Sequence, residues 1–190
     1  MLIDRVREIT RTAYQEHPDV FGNIFFEHHV AVVVRCSRRL ACQLDADPEL
    51  AEMAAYLHDI SVAFRPQDIK DHAELSAEMA FGILTKLGCA PGSVSHVAEA
   101  ISVHSNPLPV GAASPESVCL SNADAAARIL EPAYWLYYAF CVRGMPFDEG
   151  RTSLRNVISR QWELLIEPAR TLARESYPMC MRLLGSDAAA

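Results

Sequence analysis

Apolar residues along this chain recur mainly at intervals of three and four positions, and the alternating pattern of half-buried β-strands is absent. One such stripe comprises Val33, Cys36 and Leu40. This spacing places apolar side chains on one face of a helix. The sequence therefore predicts an all-α fold, a compact helical bundle, with helices over approximately residues 4–16, 25–44, 48–59, 71–88, 93–104, 115–143 and 148–184.

Two of the predicted helices begin with clear capping signals. Asp47 precedes Pro48, and Ser114 precedes Pro115. A short polar side chain can accept a hydrogen bond from a free amide of the first turn, and proline is preorganised for the first helical position. We therefore expect Asp47 and Ser114 to be helix caps.

Further local signals predict where other helices begin or end. The His17-Pro18 pair is expected to stop the first helix. Asp71, with a glutamate three residues later, predicts an acidic capping box for the fourth helix. The last predicted helix should bend or break at Pro168 and again near Pro178.

The composition is typical of a soluble globular protein, with 190 residues, 51% hydrophobic and 22% charged. A net charge of −7 argues against a dedicated nucleic-acid binder. The N-terminus lacks the apolar run of a signal peptide, and no apolar stretch approaches the ~20 residues that a membrane span needs. The six cysteines form no CxxC pair. We therefore expect a single cytoplasmic domain over residues 1–190 that does not enter a membrane.

Several polar residues occupy helix faces whose other members are apolar: His29, His58, His72, His104 and Asp124. Burying a carboxylate such as Asp124 costs several kcal/mol unless it is paired or binds a metal. Plain structural alternatives are hydrogen-bonded core histidines and an ion pair between Asp124 and Arg128. His28 projects about 100° away from His29, toward a more polar face. The coincidence on successive helices predicts a metal site, because imidazoles and carboxylates suit divalent iron, manganese or zinc.

The order of these residues resembles the H…HD…D signature of the HD-domain superfamily of metal-dependent phosphohydrolases. The residues that carry the resemblance are His29, His58, Asp59 and Asp124. The segment 54–60 is similar to the family's HD helix, with Ser61 where a glycine is usual. The resemblance covers about residues 25–130 and leaves residues 145–190 as a helical C-terminal extension.

His72 and His104 resemble the additional histidines of superfamily members that hold two metals. The resemblance implies one ion bound by His29, His58, Asp59 and Asp124, and a second bound by Asp59, His72 and His104. Adjacent side chains on a helix diverge by about 100°, so His58 and Asp59 can both reach an ion only near a helix end or between helices. The implied cofactors are two divalent transition metal ions, iron or manganese first, with zinc, nickel or magnesium as further options.

The resemblance implies a metal-dependent hydrolase that cleaves a phosphate ester or anhydride of a nucleotide or another small phosphorylated metabolite. A hydroxide bridging the metals would be the nucleophile, with Asp59 and His58 as catalytic residues. A minority branch of the superfamily has the same ligands and uses a di-iron centre to oxidise a small substrate with O₂, and this alternative stays open. A metal-free sensory module is disfavoured because no ligand is missing.

The sequence lacks a glycine-rich phosphate-binding loop, so the metal and cationic side chains are expected to hold the phosphate. The candidate substrate-binding residues are Arg65, Lys70 and Arg128, and each has an ordinary solvated or ion-paired cation as its alternative. The aromatic segment 135–140 and Trp162 are expected to form core or subunit contacts, with stacking against a substrate base as the alternative. The expected partner is a small phosphorylated substrate, and a homodimer is compatible with the sequence.

Overall fold

The computed structural model describes residues 1–16 and 24–185 of the chain. Within these ranges the chain is helical and has no β-strand, as the apolar spacing predicts. None of the helices described there is long and apolar enough to cross a membrane. The α-helices are α1 (Leu2–Glu16), α2 (Ala31–Leu44), α3 (Pro48–Leu57), α4 (Ile60–Phe64), α5 (His72–Lys86), α6 (Pro91–Ser102), α7 (Pro115–Leu130), α8 (Pro132–Tyr137), α9 (Phe147–Leu164), α10 (Glu167–Ala173) and α11 (Ser176–Leu183). The stop predicted at His17-Pro18 lies outside the described residues.

Helix α7 lies at the centre of the bundle. Every residue from 116 to 127 is buried, and α7 packs against α2, α3, α6 and α10. Alanines at positions 123 and 125–127 keep the helix surface narrow, which lets the neighbouring helices pack closely around it. Because protein surrounds α7 on several sides, the polar side chain of Asp124 points into the interior.

Two predicted caps are confirmed and one is wrong. The Asp47 carboxylate accepts hydrogen bonds from the first-turn amides of α3 at 2.9 and 3.1 Å, and Ser114 accepts one from Ser117 N at 3.3 Å. The Asp71 side chain makes no capping hydrogen bond. A 3₁₀ turn, Pro66–Asp71, leads directly into α5, so Asp71 lacks the extended backbone that a capping residue needs.

The helix predicted over residues 115–143 is interrupted by the residue before a proline. Glu131 has φ −123° and ψ 56°, as expected because the ring of Pro132 disfavours the helical conformation of the residue before it. The chain continues as α8 and then as a π-helical turn, Tyr138–Val142. After the break, the rings of Tyr134 and Trp135 lie against Phe25.

The C-terminal tail forms three helices rather than one. The chain leaves the helical conformation at Leu165, before Pro168. A turn at residues 174–175, whose backbone angles stay helical, separates α10 from α11 before Pro178. The breaks predicted near both prolines are therefore confirmed, although each lies a few residues upstream. A Cβ on Gly150 would lie 2.7 Å from the Phe140 ring, so the close packing of α9 on the π-helical turn requires glycine there.

Candidate metal centre

His58 and Asp59 form the turn between two helices. Helix α3 ends at Leu57 and α4 begins at Ile60, and Asp59 has the non-helical backbone angles φ −117° and ψ 17°. The turn brings the adjacent side chains together, with His58 Nε2 3.3 Å from Asp59 Oδ2. The pair therefore lies between two helices, where the geometric argument from the sequence expects it.

A first group of ligand-type atoms forms where the segment before α2 and the middle of α7 meet this turn. His29 comes from a π-helical turn, Phe26–Val30. Its Nε2 lies 3.1 Å from His58 Nε2 and 3.4 Å from Asp59 Oδ2. The same nitrogen lies 3.2 Å from Asp124 Oδ1. All four side chains are buried, so their mutual approach takes place away from solvent.

His28 points away from this group although it is the neighbour of His29. Its side chain is 49% exposed, and its Nδ1 lies 3.6 Å from Glu131 Oε2. The ring stacks parallel to Tyr134 at a centroid distance of 6.4 Å. The two adjacent histidines thus face in the directions that helical spacing predicts.

A second group forms on the other side of the Asp59 carboxylate. His72, at the start of α5, and His104, just after α6, approach with their Nε2 atoms 3.3 Å apart. Asp59 Oδ1 lies 3.5 Å from His72 Nε2 and 3.6 Å from His104 Nε2. Each oxygen of Asp59 therefore faces a different pair of histidines.

Three of the four histidines are held in one orientation by backbone carbonyls. The Nδ1 atoms lie within hydrogen-bond distance of the carbonyl three residues earlier, at 2.9 Å for His58, 2.8 Å for His72 and 2.6 Å for His104. A carbonyl only accepts, so each Nδ1 must donate its proton. In the neutral imidazole the lone pair of each Nε2 is then directed at the Asp59 carboxylate, which is the arrangement of a metal-ligating histidine.

The donor set fits divalent cations. His29 Nδ1, Asp59 Oδ1 and Asp124 Oδ1 are buried without a hydrogen-bond partner among the described residues. Unsatisfied buried polar atoms are rare because each costs free energy. Two sets of atoms, in His29, His58 and Asp59 and in Asp59, His72 and His104, each lie within 4.8 Å of one another. Neutral imidazoles and carboxylates are suitable ligands for divalent transition metals.

The two groups together form one cluster, made up of His29, His58, Asp59, His72, His104 and Asp124. Both carboxylates of this cluster are held in their charged form. Burial alone would raise the pKa of Asp59, but His58 and the other surrounding histidines hold it well below its usual range. Burial opposes the ionisation of Asp124 too, yet Arg128 and His29 lower its pKa. Two buried anions surrounded by imidazole rings create a strong attraction for cations, protons on the histidines included.

The three predicted substrate-binding cations occupy different surroundings. Arg128 lies beside the cluster, with Nη2 3.6 Å from Asp124 Oδ2, so the predicted ion pair coexists with the contact between Asp124 and His29. Arg65 is mostly exposed and pairs with Asp68 at 2.8 Å. Lys70 is exposed in the 3₁₀ turn. The structure thus brings only Arg128 next to the cluster, and all three substrate-binding roles stay predictions.

Three further hydrogen bonds support the backbone around Asp59 and His72, and the sequence offered no signal for them. Tyr14 on α1 donates a hydrogen bond to the backbone carbonyl of Asp59. Ser61 Oγ donates to the carbonyl of His72 at 3.1 Å and accepts from Ser76 Oγ at 2.8 Å. These contacts fasten the turn and the start of α5 to their neighbours. Only the tertiary structure pairs residues this far apart.

A cavity of about 640 Å³ is lined by Arg128 and Trp135, which lie next to Asp124 and His29 of the cluster. Ser105, which lines it, directly follows His104 in the chain. Trp135 also lines the cavity, and its ring lies 5.1 Å from the ring of His29. Arg128 lies over the Trp135 ring, 4.6 Å from its centroid. Part of the aromatic segment, predicted as core or subunit contact, therefore forms a cavity wall next to the cluster.

Comparison with known proteins agrees with this arrangement. Residues 26–129 match the HD domain family model, whereas no curated protein sequence matches the chain. The fold is similar to a predicted HD superfamily hydrolase from an uncultured Thermotogales bacterium, which is 24% identical, with a TM-score of 0.65 over 95% of this chain and 88% of that one. It is also similar to Bacillus subtilis YpgQ, at 18% identity and a TM-score of 0.70 over 100% of this chain and 99% of that one. Because the family model matches more than half of its length, this chain belongs to the HD-domain family.

Proposed function

We propose that this protein is a metal-dependent hydrolase that cleaves a phosphate ester or anhydride of a nucleotide or another small phosphorylated metabolite. The observation that carries the proposal is the position of the Asp59 carboxylate between two histidine pairs. Its Oδ2 faces His29 and His58, and its Oδ1 faces His72 and His104. A single carboxylate in this position can bridge two ions, and membership of the HD-domain family supports hydrolysis as the reaction.

The residues that would hold the ions follow from the two groups. One ion would be held by His29, His58, Asp59 and Asp124, and the other by Asp59, His72 and His104. We propose iron or manganese, since both accept a mixture of imidazole and carboxylate ligands. Two bound divalent ions lower the pKa of a water molecule and stabilise negative charge on phosphate oxygens.

The protein's own residues would orient a phosphate beside this site. The two carboxylates compensate only half of the charge of two divalent ions, so a loaded site attracts an anion. Arg128 adds positive charge at its edge and is fixed by contacts with Asp124 and with the Trp135 ring. We assign Arg128 to the substrate phosphate, where a positioned guanidinium stabilises charge as the ester bond breaks.

Metal analysis, followed by one assay of phosphate release and one of oxygen uptake, tests the proposal. Protein purified without added metal is expected to contain about two equivalents of transition metal. It should release phosphate from members of a panel of nucleotides and small phosphate esters. Asp59→Ala should abolish this activity and lower the metal content, whereas the control Asp4→Ala, at a partly exposed aspartate of α1, should retain both.

Two outcomes would contradict the proposal. Oxygen uptake without phosphate release would instead support the di-iron oxygenase alternative. The second outcome is a protein that is purified without metal and shows neither phosphate release nor oxygen uptake after metal is added. This result would mean that the buried histidines and aspartates form a polar core without catalytic function.

A further inference from the structure

The cavity beside the metal-ligand cluster has a positively charged lining. Three arginines, Arg128, Arg143 and Arg160, line it, and no aspartate or glutamate does so among the described residues around it. The chain as a whole has the opposite balance, with 24 acidic and 17 basic residues. A concave surface lined by one sign of charge concentrates ligands of the opposite sign. The cavity is therefore suited to an anionic ligand.

The three arginines lie at different depths. Arg128 is largely buried next to the cluster, whereas Arg143 and Arg160 are exposed where the cavity meets solvent. Arg160 donates a hydrogen bond of 2.9 Å to the neutral side chain of Asn106. Neither Arg143 nor Arg160 has a carboxylate partner in the part of the chain that the structure describes. Two guanidinium groups without partner anions remain at the cavity mouth.

Two residues that line the cavity also contain buried polar atoms without a partner. Trp135 Nε1, a donor, and Gln161 Oε1, an acceptor, make no hydrogen bond among the described residues. Gln161 is only 6% exposed, so solvent reaches it poorly. Burying such an atom unpaired is costly, and native proteins normally satisfy it. These two atoms lie behind the cavity surface, whereas Leu154 and Val157 line it and would contact the apolar part of a ligand.

We propose that this cavity binds the organic part of the substrate and that this part carries a second anionic group, a carboxylate or a phosphate, held by Arg143 and Arg160. The inference rests on the proposed function, because it places the reacting phosphate at the metal centre, beside Arg128. A volume of about 640 Å³ accommodates a small organic body between the two charged ends. The substrate class is an organic phosphate with two separated anionic groups.

The test measures binding rather than turnover. Calorimetric titration of the protein as purified, with its metal, gives Kd values for phenylphosphonate, 4-carboxyphenylphosphonate and 1,4-phenylenebisphosphonate, which cannot be hydrolysed. A second anion should lower Kd by about tenfold or more, as expected for charge-assisted hydrogen bonds to arginine. The carboxylate and phosphonate ligands distinguish the two kinds of second anion.

Matched double variants assign the effect to the cavity mouth. Arg143→Gln with Arg160→Gln should remove the gain from the second anion and leave the Kd of phenylphosphonate unchanged. Arg5→Gln with Arg11→Gln makes the same change of charge at exposed positions of α1 and should retain the gain. The proposal would be overturned by equal affinity for all three ligands or by a lack of binding of any of them. It would also be overturned if the second anion still lowered Kd in the Arg143→Gln, Arg160→Gln double variant.

Phosphate release from phenyl phosphate and 4-carboxyphenyl phosphate separates this inference from the proposed function. If ligands with a second anion bind more tightly but no phosphate is released, the proposed hydrolase function is refuted and the second anion site is supported. If phosphate is released at a rate that changes neither with the second anion nor with the Arg143→Gln, Arg160→Gln double variant, the hydrolase function is supported and the second anion site is refuted.

Discussion

The hydroxyl of Tyr14 on α1 donates a hydrogen bond of 2.6 Å to the backbone carbonyl of Asp59. Burial raises the pKa of Tyr14 well above its ordinary value, so the phenol stays a donor at neutral pH. The same carbonyl accepts a second hydrogen bond from Val62 N at 2.9 Å. The backbone of the turn is thus anchored from two sides, while the Asp59 carboxylate remains free to face the histidines.

Tyr14→Phe is expected to destabilise the protein modestly and to weaken metal binding. The variant keeps the ring, which packs 5.1 Å from Phe25, and loses one of two hydrogen bonds to the carbonyl. The expected cost is about 0.5–1.5 kcal/mol of unfolding free energy, measured by urea unfolding. Metal titration should show a higher Kd because the turn is less firmly held. Tyr137→Phe, at an exposed ring, is the control, and an unchanged metal Kd in Tyr14→Phe would argue against anchoring.

His72→Ala and His104→Ala should each remove one of two metal ions. Both imidazoles face Asp59 Oδ1 and lie outside the group around His29. Metal analysis should therefore fall from about two equivalents to about one. His96→Ala, at an exposed position of α6, should keep the full content. If both variants keep two equivalents, a site with one ion must replace the two-ion arrangement.

The adjacent histidines 28 and 29 provide a matched pair. His29→Ala should lose metal and activity, because its Nε2 lies within 3.4 Å of three other ligand-type atoms. His28→Ala should keep both, since its ring is half exposed beside Glu131. Metal analysis and phosphate release measure the effects. The reverse result would exchange the assignments of the two residues.

Metal removal should lower the melting temperature. Metal that binds only the folded state contributes about 4 kcal/mol at a thousandfold excess over Kd. For a domain of this length this corresponds to roughly 8–16 °C, at ~2–4 °C per kcal/mol. Asp124→Asn should reduce the difference between chelator-treated and untreated protein, whereas Asp68→Asn should preserve it. Overlaid melting curves, on protein shown to be stripped of metal, would mean that no ion stabilises the fold.

Alkaline pH should destabilise the protein through a buried thiol. Burial raises the pKa of Cys36 to about 12, whereas an unfolded thiol ionises near pH 8.5. Because the folded state has the higher pKa, this stabilisation is complete below about pH 8.5 and is lost as the pH rises toward 12. At pH 10.5 the loss is about 2–3 kcal/mol.

Urea unfolding at pH 8 and pH 10.5 tests this loss. Cys36→Ala should lose less stability between the two pH values than the native protein, because it has no thiol at this position to ionise. Cys42→Ala, at an exposed cysteine, should show the native difference. An equal loss in the native protein and in Cys36→Ala would rule out a contribution from this thiol.

Local spacing in the sequence was sufficient for the helical class and for the inward direction of the polar residues. Side-chain direction on a helix repeats every 3.6 residues, so neighbours three and four positions away reveal which face a residue occupies. This distinguished His29 from His28. Caps such as Asp47 act on amides two and three residues away, and they too are local. The cap predicted at Asp71 was wrong because a 3₁₀ turn directly precedes α5, and the spacing of residues around Asp71 does not reveal this turn.

The meeting of distant residues was decided only by the tertiary structure. Tyr14 and Asp59 are 45 positions apart, and no local pattern pairs them. The cavity likewise depends on α9, which brings Gln161 to the same wall as Trp135. The division of the Asp59 oxygens between two histidine pairs depends on how α5, α6 and the π-helical turn before α2 pack around one turn. A periodic pattern states that a side chain points inward, but packing between helices determines which atoms it meets there.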